Sequence, residues 1–99
     1  MMFTRIVKLT FDSKHIELFL SNFEENKNDI RNFPGCKHLK LLRDKTNPSI
    51  FFTYSKWDSP EALDNYRNSD LFKGIWAKTK PMFSAKPEAW SVNVLEELR

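Results

Sequence analysis

The chain has a single cysteine, Cys36, among its 99 residues. No disulfide can close within it, and no cysteine pair is available to hold zinc. Its two histidines, His15 and His38, stand on different elements of the pattern described below, so no metal site is expected. Glycine is as scarce, with only Gly35 and Gly74. That leaves no glycine-rich phosphate loop and no G-x-S-x-G elbow, and no nucleotide cofactor is expected. No apolar run approaches the roughly 20 residues of a membrane-spanning helix. Arg5 and Lys8 interrupt the first segment, which does not read as a secretory leader. Charge of one sign is missing too. Sixteen Lys and Arg stand against 13 Asp and Glu, a net charge of +3, and they are interspersed along the chain. No basic tract suggests nucleic-acid binding. No repeat, low-complexity stretch or Gly/Ser linker divides the chain. The expectation is a soluble cytoplasmic protein with residues 1–99 as one domain, no cofactor, and neither nucleic acid nor membrane as partner.

What the chain does have is ring area: nine Phe, three Trp and two Tyr. A hydrophobic fraction of 40% with that many aromatics is globular rather than disordered. A domain of this length buries only roughly 65% of the surface its unfolded form exposes, so its core is thin. The rings must either form that core or line a cavity or an interface.

Residues 2–11 read as a strand in which Phe3, Val7 and Leu9 alternate with Thr4, Lys8 and Thr10. Arg5 falls on the apolar side of this alternation and either snorkels to the edge or points into a polar pocket. Asp12 and Ser13 are helix-capping types, and Ile16, Phe19, Leu20, Phe23 and Ile30 follow at helical spacing, predicting a helix from about Lys14 to Asn32. Phe33-Pro34-Gly35-Cys36 ends it with type II turn chemistry. Strands are predicted over Cys36–Arg43 and Ile50–Trp57, joined by the turn-rich Asp44–Ser49. Either Asp58 or Ser59 caps the next helix. That helix bends near Ser69-Asp70 and ends near Lys80-Pro81. A last strand is predicted over Ala89–Glu96.

The order strand, helix, strand, strand, helix, strand is the ferredoxin-like βαββαβ arrangement, an α+β fold with one antiparallel sheet and helices on one face. In the third strand Phe52 and Tyr54 share one face, while Phe51 and Trp57 lie on the other. Helices cover only one of these faces. A second copy of the chain, related by a two-fold axis, is the simplest cover for the other, with Trp90 as the interface anchor.

Several of these residues are similar to a known family. The strand ending in Trp57, then Ser59, Glu61-Ala62-Leu63, Tyr66, Ser69 and Phe72-Lys73, resembles the antibiotic biosynthesis monooxygenase domain. The Phe33-Pro34-Gly35-Cys36 turn does so too, and the resemblance runs from Thr4 to about Val94. It implies a homodimer whose two sheets form a dimeric α+β barrel. It also implies an activity, because members include cofactor-free oxygenases of aromatic polyketides or quinols, and others degrade heme. The His-x-x-Ser-x-His of many members reads here as Tyr66-Arg67-Asn68-Ser69-Asp70-Leu71, so the serine stands and both histidines are replaced. The positions aligned with the heme branch's asparagine, tryptophan and histidine are Val7, Tyr66 and Trp76. None keeps the required type, which places heme degradation below the other readings.

An oxygenase without a cofactor uses an electron-rich phenol or quinol as its own reductant. It needs a dry aromatic slot, a proton acceptor and a donor that stabilises the anion. Tyr54, Trp57, Phe72 and Trp76 are the candidate substrate-binding residues, and Tyr66, His38 and Arg5 the candidate catalytic ones. His38 is the base that titrates near neutral pH, and Arg5 the group able to hold an anionic oxygen. Each has a plainer explanation. Trp57, Tyr66 and Trp76 suit core packing, His38 an exposed strand position, and Arg5 an edge ion pair. Two functions therefore compete: a cofactor-independent monooxygenase acting on an aromatic small molecule, and a non-catalytic ligand-binding or structural dimer that keeps the barrel.

Overall fold

The computed structural model describes residues 2–99. Strand β1 spans Phe3–Thr10, and helix α1 spans Ile16–Arg31 after a single 3-10 turn at Ser13–His15. Strands β2 (Cys36–Arg43) and β3 (Ile50–Trp57) form a hairpin. Helices α2 (Pro60–Arg67) and α3 (Asp70–Thr79) follow, then a 3-10 turn at Lys80–Met82 and strand β4 (Glu88–Val92). The four strands pair antiparallel in the order β2-β3-β1-β4, the ferredoxin-like topology expected from the element order.

Local chemistry fixes the boundaries. Asp12 caps the first turn, its Oδ1 accepting from Lys14 N at 3.1 Å, and that turn is 3-10, so the α-helix proper begins later than Lys14. Ser59, not Asp58, caps α2: its hydroxyl accepts from Ala62 N at 3.2 Å and Pro60 takes the first helical position. Asp58 instead lies 3.6 Å from Lys37 Nζ. Ser69 begins α3 afresh by accepting from Phe72 N at 3.1 Å, which is why the expected bend is a break between two helices. At the β2–β3 turn the Asp44 carboxylate accepts from Asn47 N at 2.7 Å and Thr46 N at 3.1 Å, an Asx-type closure.

Strand β4 is shorter than the Ala89–Glu96 expected. Among the described residues it pairs with β1 alone, and that pairing ends at Thr4–Val92, next to the start of β1 at Phe3. Beyond Val92 no further strand pairing is present among the described residues. Leu95 and Leu98 stand 96% and 86% exposed, so the apolar alternation there does not mark a strand in a single chain.

Turn geometry at Gly35 links α1 to the sheet. Cys36 N donates to Phe33 O at 3.0 Å, and Gly35 adopts φ +92° as the third residue of a type II turn. A side chain at that position would collide with the Cβ of Ala62 in α2. One residue later, a bulge between Cys36 and His38 shifts the register of β2 against β3. Cys36 therefore faces the helices together with Trp57, while His38 pairs with Lys56 on the opposite face.

Two hydrophobic clusters hold the helices to the sheet. One is built from Leu9, Phe11, Ile16, Phe19, Phe51 and Met82. The other comprises Phe3, Cys36, Trp57 and Leu63.

Candidate functional site

The gap between the clusters is set by sheet register. On the helix-facing side, Phe3 opposes Trp57 at one end and Leu9 opposes Phe51 at the other. The two intervening rungs pair Arg5 with Ser55 and Val7 with Thr53, none of which fills space as the flanking rings do. A cavity of about 320 Å³ opens over these rungs, roofed by Tyr66 of α2 and by Phe72, Ile75 and Trp76 of α3. That volume is at the lower end of the roughly 300–1,000 Å³ found for small-molecule sites.

A run of rings forms one wall. Trp57 and Tyr66 stack with centroids 5.1 Å apart, and Tyr66 meets Phe72 edge-on at 5.2 Å. Phe72 stacks on Trp76 at 5.9 Å, and Trp76 touches Phe83 at 5.5 Å. Trp57 is anchored: it is 1% exposed, and its Nε1 donates to Ser55 Oγ at 2.9 Å. The Tyr66 hydroxyl makes no hydrogen bond to another described residue, while burial, with a smaller contribution from Cys36, pushes its pKa far above the ordinary phenol value. At neutral pH this phenol keeps its proton and acts as a donor. Cys36 is itself buried, which raises its thiol pKa and leaves it poorly nucleophilic.

Arg5 sits at the other side of the cavity. Its Nη1 donates to Ser91 Oγ at 3.0 Å. Burial, and then the charge of Arg67, lower its pKa, although a guanidinium stays protonated at any ordinary pH. Neither arginine approaches a carboxylate within 4.0 Å among the described residues. A second cavity, of about 380 Å³, lies on the far side of Arg5 and is bordered by Asp64, Arg67, Ser91 and Asn93. Arg5, Leu63 and Arg67 border both cavities.

The structure thus brings together Arg5, Trp57, Tyr66, Phe72 and Trp76 and leaves out His38 and Tyr54. The latter two pair edge-on at 5.9 Å on the opposite face of the sheet. The thickness of the sheet separates them from the cavity, and the bulge at Cys36–His38 is the reason for His38. Its Nε2 is shielded from solvent without a hydrogen-bond partner. Burial, helped by Lys40, Lys56 and Arg31, lowers its pKa. Trp90 also lies on that face, opposite Ile6 and 44% exposed. Sequence periodicity missed Arg67, a charged residue one turn after Leu63 at the end of α2, and the ring-free pair Thr53 and Ser55. Their signal is the lack of large side chains in the middle of an otherwise aromatic strand face. No helix among the described residues is long and apolar enough to cross a membrane.

Comparisons with known proteins agree with this architecture. No curated protein matches the chain. Among solved structures, a Caulobacter crescentus protein superposes with a TM-score of 0.88 at 23% identity, covering 96% of this chain and 91% of its own. A Mycobacterium tuberculosis protein does so at 0.88 and 14% identity, covering 100% of both chains. A Methanosarcina mazei protein does so at 0.88 and 17% identity, covering 93% of this chain and 91% of its own. At these identities the likeness establishes the fold. The model of the antibiotic biosynthesis monooxygenase family matches residues 2–78, and the chain belongs to that family.

Proposed function

We propose that the protein is a cofactor-independent monooxygenase that oxidises an electron-rich aromatic, a phenol or quinol, in the cavity between the helices and the sheet. The observation that carries this reading is the combination in one partly open cavity of the Trp57–Tyr66–Phe72–Trp76 ring wall with a protonated phenol and a guanidinium that pairs with no carboxylate among the described residues. The rings pack against one face of the flat substrate and shield it from water. Tyr66 donates a hydrogen bond to the substrate's ionised oxygen, and Arg5 supplies the positive charge that favours the anionic form. The proton leaves to solvent, since no histidine among the described residues borders the cavity.

The phenolate then passes an electron to dioxygen, and the radical pair combines to form a carbon–oxygen bond. The resulting peroxide breaks its O–O bond with loss of water. For a quinol the balance is quinol plus dioxygen giving hydroxyquinone plus water, with all four electrons drawn from the substrate. The protein contributes position, dryness and charge, and no metal or flavin takes part in this scheme.

The same reading includes a cytoplasmic homodimer. The sheet face away from the helices carries Ile6, Phe52, Tyr54, Trp90 and Val92, with Trp90 and Val92 44% and 38% exposed. A second copy laid on this face would bury them. A non-catalytic ligand-binding or structural dimer is the alternative, and the two replaced histidines favour it. Oxygen uptake with a panel of quinols decides between them. The oxygenase reading expects turnover by the wild type and at least a tenfold lower kcat for Tyr66→Phe. Equal rates for wild type and Tyr66→Phe would remove the site.

A further inference from the structure

Two arginines, Arg5 and Arg67, border the cavity, and neither pairs with a carboxylate within 4.0 Å among the described residues. Tyr66 already provides a donor inside it, yet Arg5 and Arg67 both stand at the junction with the second cavity. Arg5 is held by Ser91 Oγ rather than by a carboxylate. Asp64, one turn before Arg67 on α2, borders the outer cavity and forms no ion pair within 4.0 Å with either arginine. Two neighbouring guanidiniums repel each other, and a fold that keeps them adjacent, with Asp64 and Glu88 on the cavity borders but neither within ion-pair distance of them, presents a binding place for an anion from outside. An outer cavity bordered by Ser91 and Asn93 leaves room for a polar substituent beyond the junction.

We propose that Arg5 and Arg67 together clamp a carboxylate of the ligand, so that the natural substrate is an aromatic acid with its ring against Trp57 and Tyr66 and its acid group at the junction of the two cavities. This deepens the oxygenase reading, on whose cavity it rests, by naming the substrate class. The carboxylate is distinct from the phenolic oxygen that Tyr66 meets. The planar forks of the arginines suit the two oxygens of a carboxylate, which a single point charge would not select. The ligand's charge also relieves the Arg5–Arg67 repulsion, so binding should stabilise the fold.

The test is calorimetric titration of the wild type with 2-naphthoate and with the uncharged 2-naphthamide, which share a ring system and differ in the acid. The expected result is at least tenfold tighter binding of the acid, as one or two charge-assisted hydrogen bonds supply. Arg67→Gln, at an exposed helix end, should erase that preference without changing the affinity for the amide, and Arg67→Lys should restore only part of it. Thermal unfolding of Arg67→Gln without ligand controls for folding. Equal affinity for acid and amide in the wild type would overturn the carboxylate clamp while leaving the aromatic cavity intact. Failure of both to bind would overturn the clamp together with the cavity on which it rests. An acid preference that survives Arg67→Gln would overturn the role of Arg67.

Discussion

The indole of Trp57 and the phenol of Tyr66 lie stacked, 5.1 Å between centroids and 29° between planes, joining the end of β3 to the end of α2. The indole is sealed in the core and bonded to Ser55, whereas the phenol's hydroxyl has no partner among the described residues. One ring of the pair therefore serves packing, and the other carries a polar group with no structural task. Trp57→Ala should cost roughly 3–5 kcal/mol of stability. Tyr66→Phe, which removes only the unbonded hydroxyl, should stay within about 0.5 kcal/mol of wild type. Urea unfolding of the two variants measures both, and a large loss in Tyr66→Phe would mean that the hydroxyl is structural.

Gly35 is a second point where one atom matters. Its left-handed φ of +92° disfavours any side chain, and an added Cβ meets the Cβ of Ala62, which has no rotamer by which to move away. Gly35→Ala should destabilise by roughly 2–4 kcal/mol, combining backbone strain with overpacking. Gly74→Ala, where an added Cβ meets nothing within 4 Å, should be neutral or stabilising as a helix substitution. Chemical denaturation of the two variants side by side provides the contrast.

The pKa of His38 is lowered in the folded protein, first by burial and then by Lys40, Lys56 and Arg31. Its neutral form is favoured on folding, so its contribution is present above the ordinary histidine value near 6.5 and is lost as pH falls through the lower folded value. The urea midpoint should fall between pH 7.5 and pH 5.5, and His38→Phe should show a smaller fall. Protein concentration must be held fixed, because any self-association adds its own term. A larger fall in the variant would reverse the sign assigned to this residue.

The exposed sheet face makes a statement about assembly. Trp90→Asp places a charge at the centre of the proposed two-fold contact, where desolvating it without a partner is costly. Sedimentation at micromolar concentration should give a dimer for the wild type and a monomer for the variant, with the far-UV circular dichroism spectrum unchanged. A wild type that sediments as a monomer would remove the dimer from the account.

Strand and helix order were legible in the sequence because the apolar periods of β1, β2, β3 and α1 are long and bounded by strong signals: Asp12, Pro34-Gly35 and Ser59-Pro60. The end of β4 was not, because strand length there depends on where β1 begins, a pairing partner distant in the chain. Ring residues of the cavity were legible by type and by helix face. The position of His38 relative to the cavity was not, since only the pairing with β3 and the bulge at Cys36–His38 decide it. Arg67 was invisible for a related reason: its importance comes from bordering the same cavities as Arg5, which lies on a strand far earlier in the chain.

The central claim is that dioxygen reacts with an aromatic substrate inside this cavity without a cofactor, and labelling with ¹⁸O₂ tests it most directly. Purified protein free of metal and flavin, incubated with a quinol under the labelled gas, should give a hydroxyquinone carrying one labelled oxygen. Tyr66→Phe should form it far more slowly. Product oxygen derived from water, or labelled product formed no faster than without protein, would contradict the account.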